Sequence, residues 1–204
     1  MTVAHKNLTG TDLHVIKGAD SATTGQVPIA NGSGDAPFGK LTHTSLQTTG
    51  NPFGAQLFHT REEQSAGVSP NSIGSLNTWS TVTLNTSVTN EITSASLSSN
   101  GIILPAGTYF IDAVVPSYYA AGSTSQVKIR LYNNTTSASI IEGRSIIIFN
   151  SIGMVSTLSL RGRFTLSGTS TLYLQRYATG NVSGGQSFNH GTEVYSEALV
   201  WKVA

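Results

Sequence analysis

From about Leu76 to Ala204 the chain alternates apolar and polar residues with a period of two, run after run, between turn signals. Tyr109, Ile111, Ala113 and Val115 alternate with Phe110, Asp112 and Val114, and Val127, Ile129 and Leu131 with Lys128, Arg130 and Tyr132. Leu158, Leu160, Phe164 and Leu166 stand against Ser159, Arg161, Arg163 and Thr165, and Leu172 and Leu174 against Tyr173 and Gln175. A β-strand sends successive side chains to opposite faces, so each run predicts a strand with one buried face. Asn100-Gly101, Ala121-Gly122, Asn133-Asn134, Asn150-Ser151, Ser167-Gly168 and Gly184-Gly185 punctuate the runs. Parallel strands would need crossover helices, and none is signalled between these runs. The pattern therefore predicts about eight to ten antiparallel strands in an all-β sandwich or jelly roll. No internal repeat supports a β-helix shaft or a propeller.

Composition narrows what such a sandwich does. Only 10% of residues are charged, against about 25% in an average soluble domain. Hydroxyl side chains are abundant instead, 27 serines and 26 threonines among 204 residues. The formal charge of +1 gives no general electrostatic reason to bind nucleic acid or an anionic membrane. No apolar run approaches the ~20 residues of a membrane helix, and no cleavable leader follows Met1. The absence of cysteine removes disulfides, thiolate metal sites and cysteine nucleophiles together. These balances favour a structural or binding protein.

The stretch before the strand zone reads differently. Residues 1–52 carry short apolar pairs, Val15-Ile16 and Val27-Pro28-Ile29, between turn-rich clusters at Ala30 to Asp35 and Thr48 to Pro52. Neither helical nor strand periodicity is clear, which predicts an extended N-terminal arm that gains order against a partner. Residues 53–75 read as a connector containing the charged run His59-Thr60-Arg61-Glu62-Glu63-Gln64, with a short helical turn at most. Residues 76–204 form the head domain.

No catalytic constellation emerges. A cupin-type metal centre needs His and carboxylate ligands on neighbouring strands. Here His5, His14 and His43 fall in the arm, His59 in the connector and His190 in a Gly-rich loop. No serine lies in a Gly-x-Ser-x-Gly elbow. Glu62 and Glu63 are adjacent, so in a regular element their side chains diverge, whereas a glycosidase pair faces one bond. Gly32-Ser33-Gly34 lacks the lysine of a phosphate loop. The expectation is a non-enzyme with no cofactor and no metal. Arg161 and Arg163 share one face of a strand and call for water or acidic partners, for which Glu142 and Glu197 are candidates. Asp112 is expected to answer Lys128 or Arg130.

The strand zone resembles the small jelly-roll heads of the tumour-necrosis-factor and complement-head type found on bacteriophage virion proteins. The likeness is carried by Trp79, Val82, Leu84 and Asn85, by Leu97-Ser98, Leu104-Pro105-Ala106-Gly107-Thr108-Tyr109 and Arg130-Leu131-Tyr132-Asn133, and by Phe164-Thr165-Leu166-Ser167, Thr171 to Gln175 and Leu199 to Val203. His5 to His14 resembles the N-terminal attachment segments of phage head-decoration and tail-appendage proteins. The resemblance implies a TNF-like antiparallel jelly roll preceded by the arm, a homotrimer, and a site on the outer capsid surface of a virion. The function it implies is capsid decoration as a cement protein. The arm would hold the major capsid protein through Asn7, Leu8, Leu13, Val15, Ile16, Val27, Ile29, Phe38 and Leu41. Phe110, Tyr118, Tyr119, Tyr132, Tyr173, Tyr177 and Trp201 are the candidates for the trimer interface, against the simpler role of filling the core. The alternative is a tail-fibre or receptor-binding tip recognising a host surface glycan, served by the loops at 118–125 and 180–189.

Overall fold

The computed structural model describes residues 22–24, 26–29, 38–40, 56–70, 75–119, 124–149 and 155–203. The chain divides into two units, residues 1–48 and 49–204. In the first, β1 (Gln26–Pro28) pairs antiparallel with β2 (Phe38–Lys40), Val27 opposite Gly39. This short ladder was not signalled by the sequence, which showed no alternation there. Asn7, Leu8, Leu13, Val15, Ile16 and Leu41 lie outside the described residues.

The second unit is a two-sheet sandwich whose described residues contain no helix. Its strands are β3 (Gln56–Gln64), β4 (Trp79–Thr81), β5 (Thr86–Asn90), β6 (Ser96–Ser98), β7 (Gly101–Leu104) and β8 (Gly107–Tyr119), followed by β9 (Ser125–Asn133), β10 (Ala138–Ile148), β11 (Val155–Leu166), β12 (Ser170–Ala178), β13 (Val182–Ser183) and β14 (Glu193–Lys202). One sheet runs β10-β9-β12-β7-β6, with β4 also on β12; the other runs β11-β8-β14-β3-β5, with β13 also on β8. Every pairing is antiparallel. The chain crosses repeatedly between the two sheets, and its last strand, β14, lies between β8 and β3. That strand order is a jelly roll. The described strands exceed the expected eight to ten because β4, β6 and β13 are too short to show alternation.

The inward positions are those the alternation indicated. Ile111, Ala113 and Val115 of β8 with Leu158 and Leu160 of β11 face Val127, Ile129 and Leu131 of β9 and Leu172 and Leu174 of β12, all essentially inaccessible. The turn before β8 is closed by Tyr109, whose hydroxyl donates to the Pro105 carbonyl at 2.7 Å while its ring stacks on Phe164 at 5.5 Å. Burial pushes the Tyr109 phenol above its usual pKa. The β6–β7 hairpin turns through Ser99 and Asn100, with φ of 48° and 65°, the left-handed pair that two-residue hairpins require. The following Gly101 leaves no room for a side chain, since a Cβ there would sit 2.8 Å from Thr171 Cγ2.

Residues 56–64, read as a connector, instead form β3 in the middle of a sheet. Its charge hid the period: Phe58, Thr60 and Glu62 point inward, while His59, Arg61 and Glu63 point outward and find partners. His59 is thus a strand residue. Glu62 and Glu63 do diverge, one into the core and one to the outer face.

Among the described residues, charged side chains also lie in the core. Arg176 of β12 is 6% exposed and donates from a terminal nitrogen to the Pro116 carbonyl at 2.8 Å and the Ser183 carbonyl at 3.3 Å. Burial lowers its pKa to about 10, opposed by the charge of buried Glu62. Glu62 in turn accepts from Ser196 at 3.4 Å. Removing one charge from a buried pair leaves the other uncompensated, so Arg176→Met should cost about 3–5 kcal/mol in urea unfolding. Replacing Glu62 and Arg176 together by Leu should cost distinctly less, and equal losses would show that the two charges are not coupled.

Candidate functional site

The sandwich offers two outer faces of different chemistry. On the β11-β8-β14-β3-β5 sheet, the register aligns Arg163, Phe110, Trp201 and Leu57 in one row and Arg161, Asp112, Leu199 and His59 in the next. The Phe110 and Trp201 rings lie 6.0 Å apart, and Phe110 is 39% exposed. Charges on this face answer one another: Arg161 Nε donates to Asp112 at 2.8 Å, His59 meets Glu197 at 2.7 Å, and Arg61 meets Glu63. The expected pairings of Asp112 with Lys128 or Arg130, and of Arg161 with Glu142 or Glu197, are therefore corrected. Asp112 and Arg161 are direct cross-strand neighbours, whereas Lys128, Arg130 and Glu142 belong to the other sheet. At the end of β10 and the start of β11, Ile147, Phe149 and Val155 are each more than half exposed.

The outer face of the other sheet is aromatic and polar at once. Tyr173 stands opposite Tyr132, Gln175 opposite both Arg130 and Thr81, and Tyr177 opposite both Lys128 and Trp79. The Arg130 guanidinium sits 4.0 Å from the Trp79 ring centroid and 4.5 Å from that of Tyr132, while its Nε donates to Gln175 Oε1 at 2.8 Å. Trp79 and Tyr177 pack at 5.6 Å. Lys128 Nζ binds Glu142 at 2.7 Å, and Glu142 also accepts from Ser139 at 2.6 Å; Lys128, then Ser139, hold its carboxyl below the usual range. Beside this pavement lies a cavity of about 430 Å³ lined by Gln126, Val127, Lys128, Ser145, Ile146, Ile147 and Tyr177.

The seven aromatic residues proposed for one interface thus part company. Phe110 and Trp201 share one face with Tyr118, which lies opposite Val155 on β11; Tyr132, Tyr173 and Tyr177 share the other. None of these six fills the core. The side chain of Tyr119 lies outside the described residues. Trp79, not among the expected site residues, joins the second group through its pairing with Tyr177, which the sequence of a three-residue strand does not signal. Of the arm residues, Val27 is 36% exposed, and Ile29 and Phe38 are half-buried.

A third feature is the loop before β14. The Glu193 carboxylate accepts from the Tyr195 hydroxyl, from the backbone N–H of Asn189 at 2.7 Å and Phe188 at 3.0 Å, and from Gly67 N–H at 3.1 Å. It ties two loops together and leaves Phe188 at the tip, 87% exposed. Among the described residues no three His, Asp or Glu side chains gather to hold a metal.

No family model matches this chain, and no curated protein does. Solved structures similar to this chain include murine APRIL at pH 8.0, 10% identical over 72% of this chain and 98% of the other, with a TM-score of 0.47. The globular domain of zebrafish complement 1qA protein is 12% identical over 74% and 98%, with a TM-score of 0.44. These structural neighbours are TNF-like and C1q-like jelly-roll domains; the strand order of this chain defines its own jelly roll.

The hydrogen bonds to Glu193, that of Tyr195 foremost, lower its pKa from 4.5 to about 2. A carboxyl depressed in the folded state adds stability above its unfolded pKa and loses it as pH falls through the folded value. The amides of Phe188 and Asn189 should therefore be protected from hydrogen exchange near neutrality and lose that protection between about pH 4.5 and 2. In Glu193→Gln the protection should be weak at every pH; retention in that variant would refute the clamp.

Proposed function

We propose that the chain is a non-enzymatic virion protein, a capsid decoration or cement protein whose jelly-roll head associates as a homotrimer and whose first unit holds the major capsid protein. The observation that carries the trimer is the outer face of the β11-β8-β14-β3-β5 sheet. Phe110, Trp201, Leu57 and Leu199 form an apolar surface there with Arg163 at its border, and most of the adjacent acids and bases pair within the chain, Arg161 with Asp112, His59 with Glu197 and Arg61 with Glu63. Such a face loses little when water is removed, because few charges are left to desolvate alone. The exposed Phe149 and Val155 supply an apolar edge that the same assembly would cover. Attachment to the capsid is supported by the hydroxyl-rich, turn-rich composition of residues 1–52 and by the resemblance of His5 to His14 to phage attachment segments.

Phe110→Glu places an unpaired carboxylate in the proposed contact, so sedimentation should show monomers where the parent chain sediments as a trimer, with circular dichroism unchanged. A trimeric Phe110→Glu variant would remove this face from the interface. Deleting residues 2–50 should leave a folded trimer that no longer decorates capsids. Full occupancy of expanded heads by the truncated chain would overturn the arm's role. Hundreds of copies per virion are expected on a head; a few dozen would move the protein to the tail.

A further inference from the structure

We propose that the outer face of β4, β9 and β12, together with the cavity beside Tyr177, is a carbohydrate-binding site. A pyranose ring has an apolar face of C–H groups and a rim of hydroxyls, so its receptor needs an aromatic ring to lie against and hydrogen-bonding groups at the edges. This face carries both, with Trp79 and Tyr177 inclined at 57° to each other. Trp79, Tyr177 and Tyr132 provide the rings, two of them flanking Arg130. Gln175, Arg130, Lys128 and Glu142 stand between and beside those rings, offering amide, guanidinium, ammonium and carboxylate groups spaced at the interstrand interval. Paired donors and acceptors of this kind suit vicinal hydroxyls, which present one donor and one acceptor side by side.

The groups are already held in place. Arg130 is fixed by Gln175 and by two rings, and Lys128 by Glu142, so a ligand would meet little of the cost of ordering long side chains. The cavity of about 430 Å³ lies within the usual range of roughly 300–1,000 Å³ for small-ligand sites. Its Lys128 and Tyr177 belong to the pavement as well, so one sugar residue can sit in the cavity while its neighbours lie across the rings. Other occupants fit less well. Lys128 and Arg130 against Glu142 leave too little positive charge for a nucleic acid, whose affinity comes from neutralising many phosphates. A protein partner that buried the face would have to match polar groups in every row. The site is on the opposite side of the sandwich from Phe110 and Trp201, so it does not depend on the proposed oligomer or on capsid attachment.

The test is a screen of the full chain on a broad panel of neutral and acidic oligosaccharides and bacterial polysaccharides, followed by titration of the best ligand. Trp79→Ala and Tyr177→Ala should each weaken binding by more than about tenfold. Trp79→Phe, which keeps a ring, should bind within about threefold of the parent. Ligand should also change the tryptophan fluorescence of the parent chain and not that of Trp79→Phe, a readout that stands even where the alanine variants fail to fold. Phe110→Glu should bind a short oligosaccharide, which reaches one site at a time, as the parent does, which separates this site from the self-association face. No binding across the panel, an unchanged affinity in folded Trp79→Ala and Tyr177→Ala, or a fluorescence change that persists in Trp79→Phe would overturn the assignment.

Discussion

The fold depends on β14 lying between β8 and β3. The last strand of the sandwich completes the ladder of the first, Lys202 opposite Gln56 and Leu199 opposite His59, and on its other edge pairs Trp201 with Phe110. Until β14 is in place, β3 and β8 each have an unpaired edge, and Ala198 and Val200 are missing from the core they share with Phe58 and Ile111. These pairings join residues far apart in the chain, so loop closure must precede most of the hydrophobic gain. The same insertion creates the apolar outer face, because Trp201 and Leu199 come from β14 and Phe110 from β8.

A second constraint is how a sheet protein with so few charges keeps its edges and faces in order. Serine and threonine occupy many outward strand positions, and the charges that remain are largely arranged in local pairs: Arg161 with Asp112, His59 with Glu197, Lys128 with Glu142. Exposed pairs of this kind contribute little to stability, about 0–1 kcal/mol each. Their effect is on register and on the character of the surface. A cross-strand Arg161–Asp112 pair favours one alignment of β11 on β8, since a one-residue slip would turn the arginine toward the core.

Much of this architecture was legible in the period-two runs of β8, β9, β11 and β12, because both faces of those strands are chemically distinct. β3 was not, because Glu62 and Thr60 occupy inward positions that a hydrophobicity pattern assigns to apolar residues; buried Arg176 on the facing sheet makes that inward carboxylate tolerable. The short strands β1, β2, β4, β6 and β13 carry too few residues for any period. Trp79 stayed hidden for that reason. It owes its place on the aromatic face to pairing with Tyr177 across β4 and β12, a contact between residues almost a hundred positions apart, and residue type alone does not reveal it. The division of the aromatic residues into two groups has the same origin: alternation tells which side of a strand a residue occupies, while the strand order tells which sheet, and therefore which face of the molecule, that side becomes.

The two faces then carry different physical tasks with nearly the same residue types. Around Phe110 and Trp201 apolar side chains dominate the row, with Arg163 at its end, so the surface gains by being covered and has little to offer a hydrated ligand. Around Trp79 and Tyr177 the neighbouring row of Gln175, Arg130 and Glu142, with Lys128 beside Tyr177, sets polar groups among the rings, so complete burial would be costly, while a ligand that brings its own hydroxyls meets both kinds of group. In the proposed trimer the first face turns inward and three copies of the second turn outward. A single sugar contact on an open sheet is weak, but three sites held on one rigid body raise the effective concentration of the second and third contacts, with gains of about 10²–10⁴ where the ligand spans them. Self-association through one face would thus raise the avidity for a long polysaccharide recognised through the other, although each site binds on its own and the two share no residue.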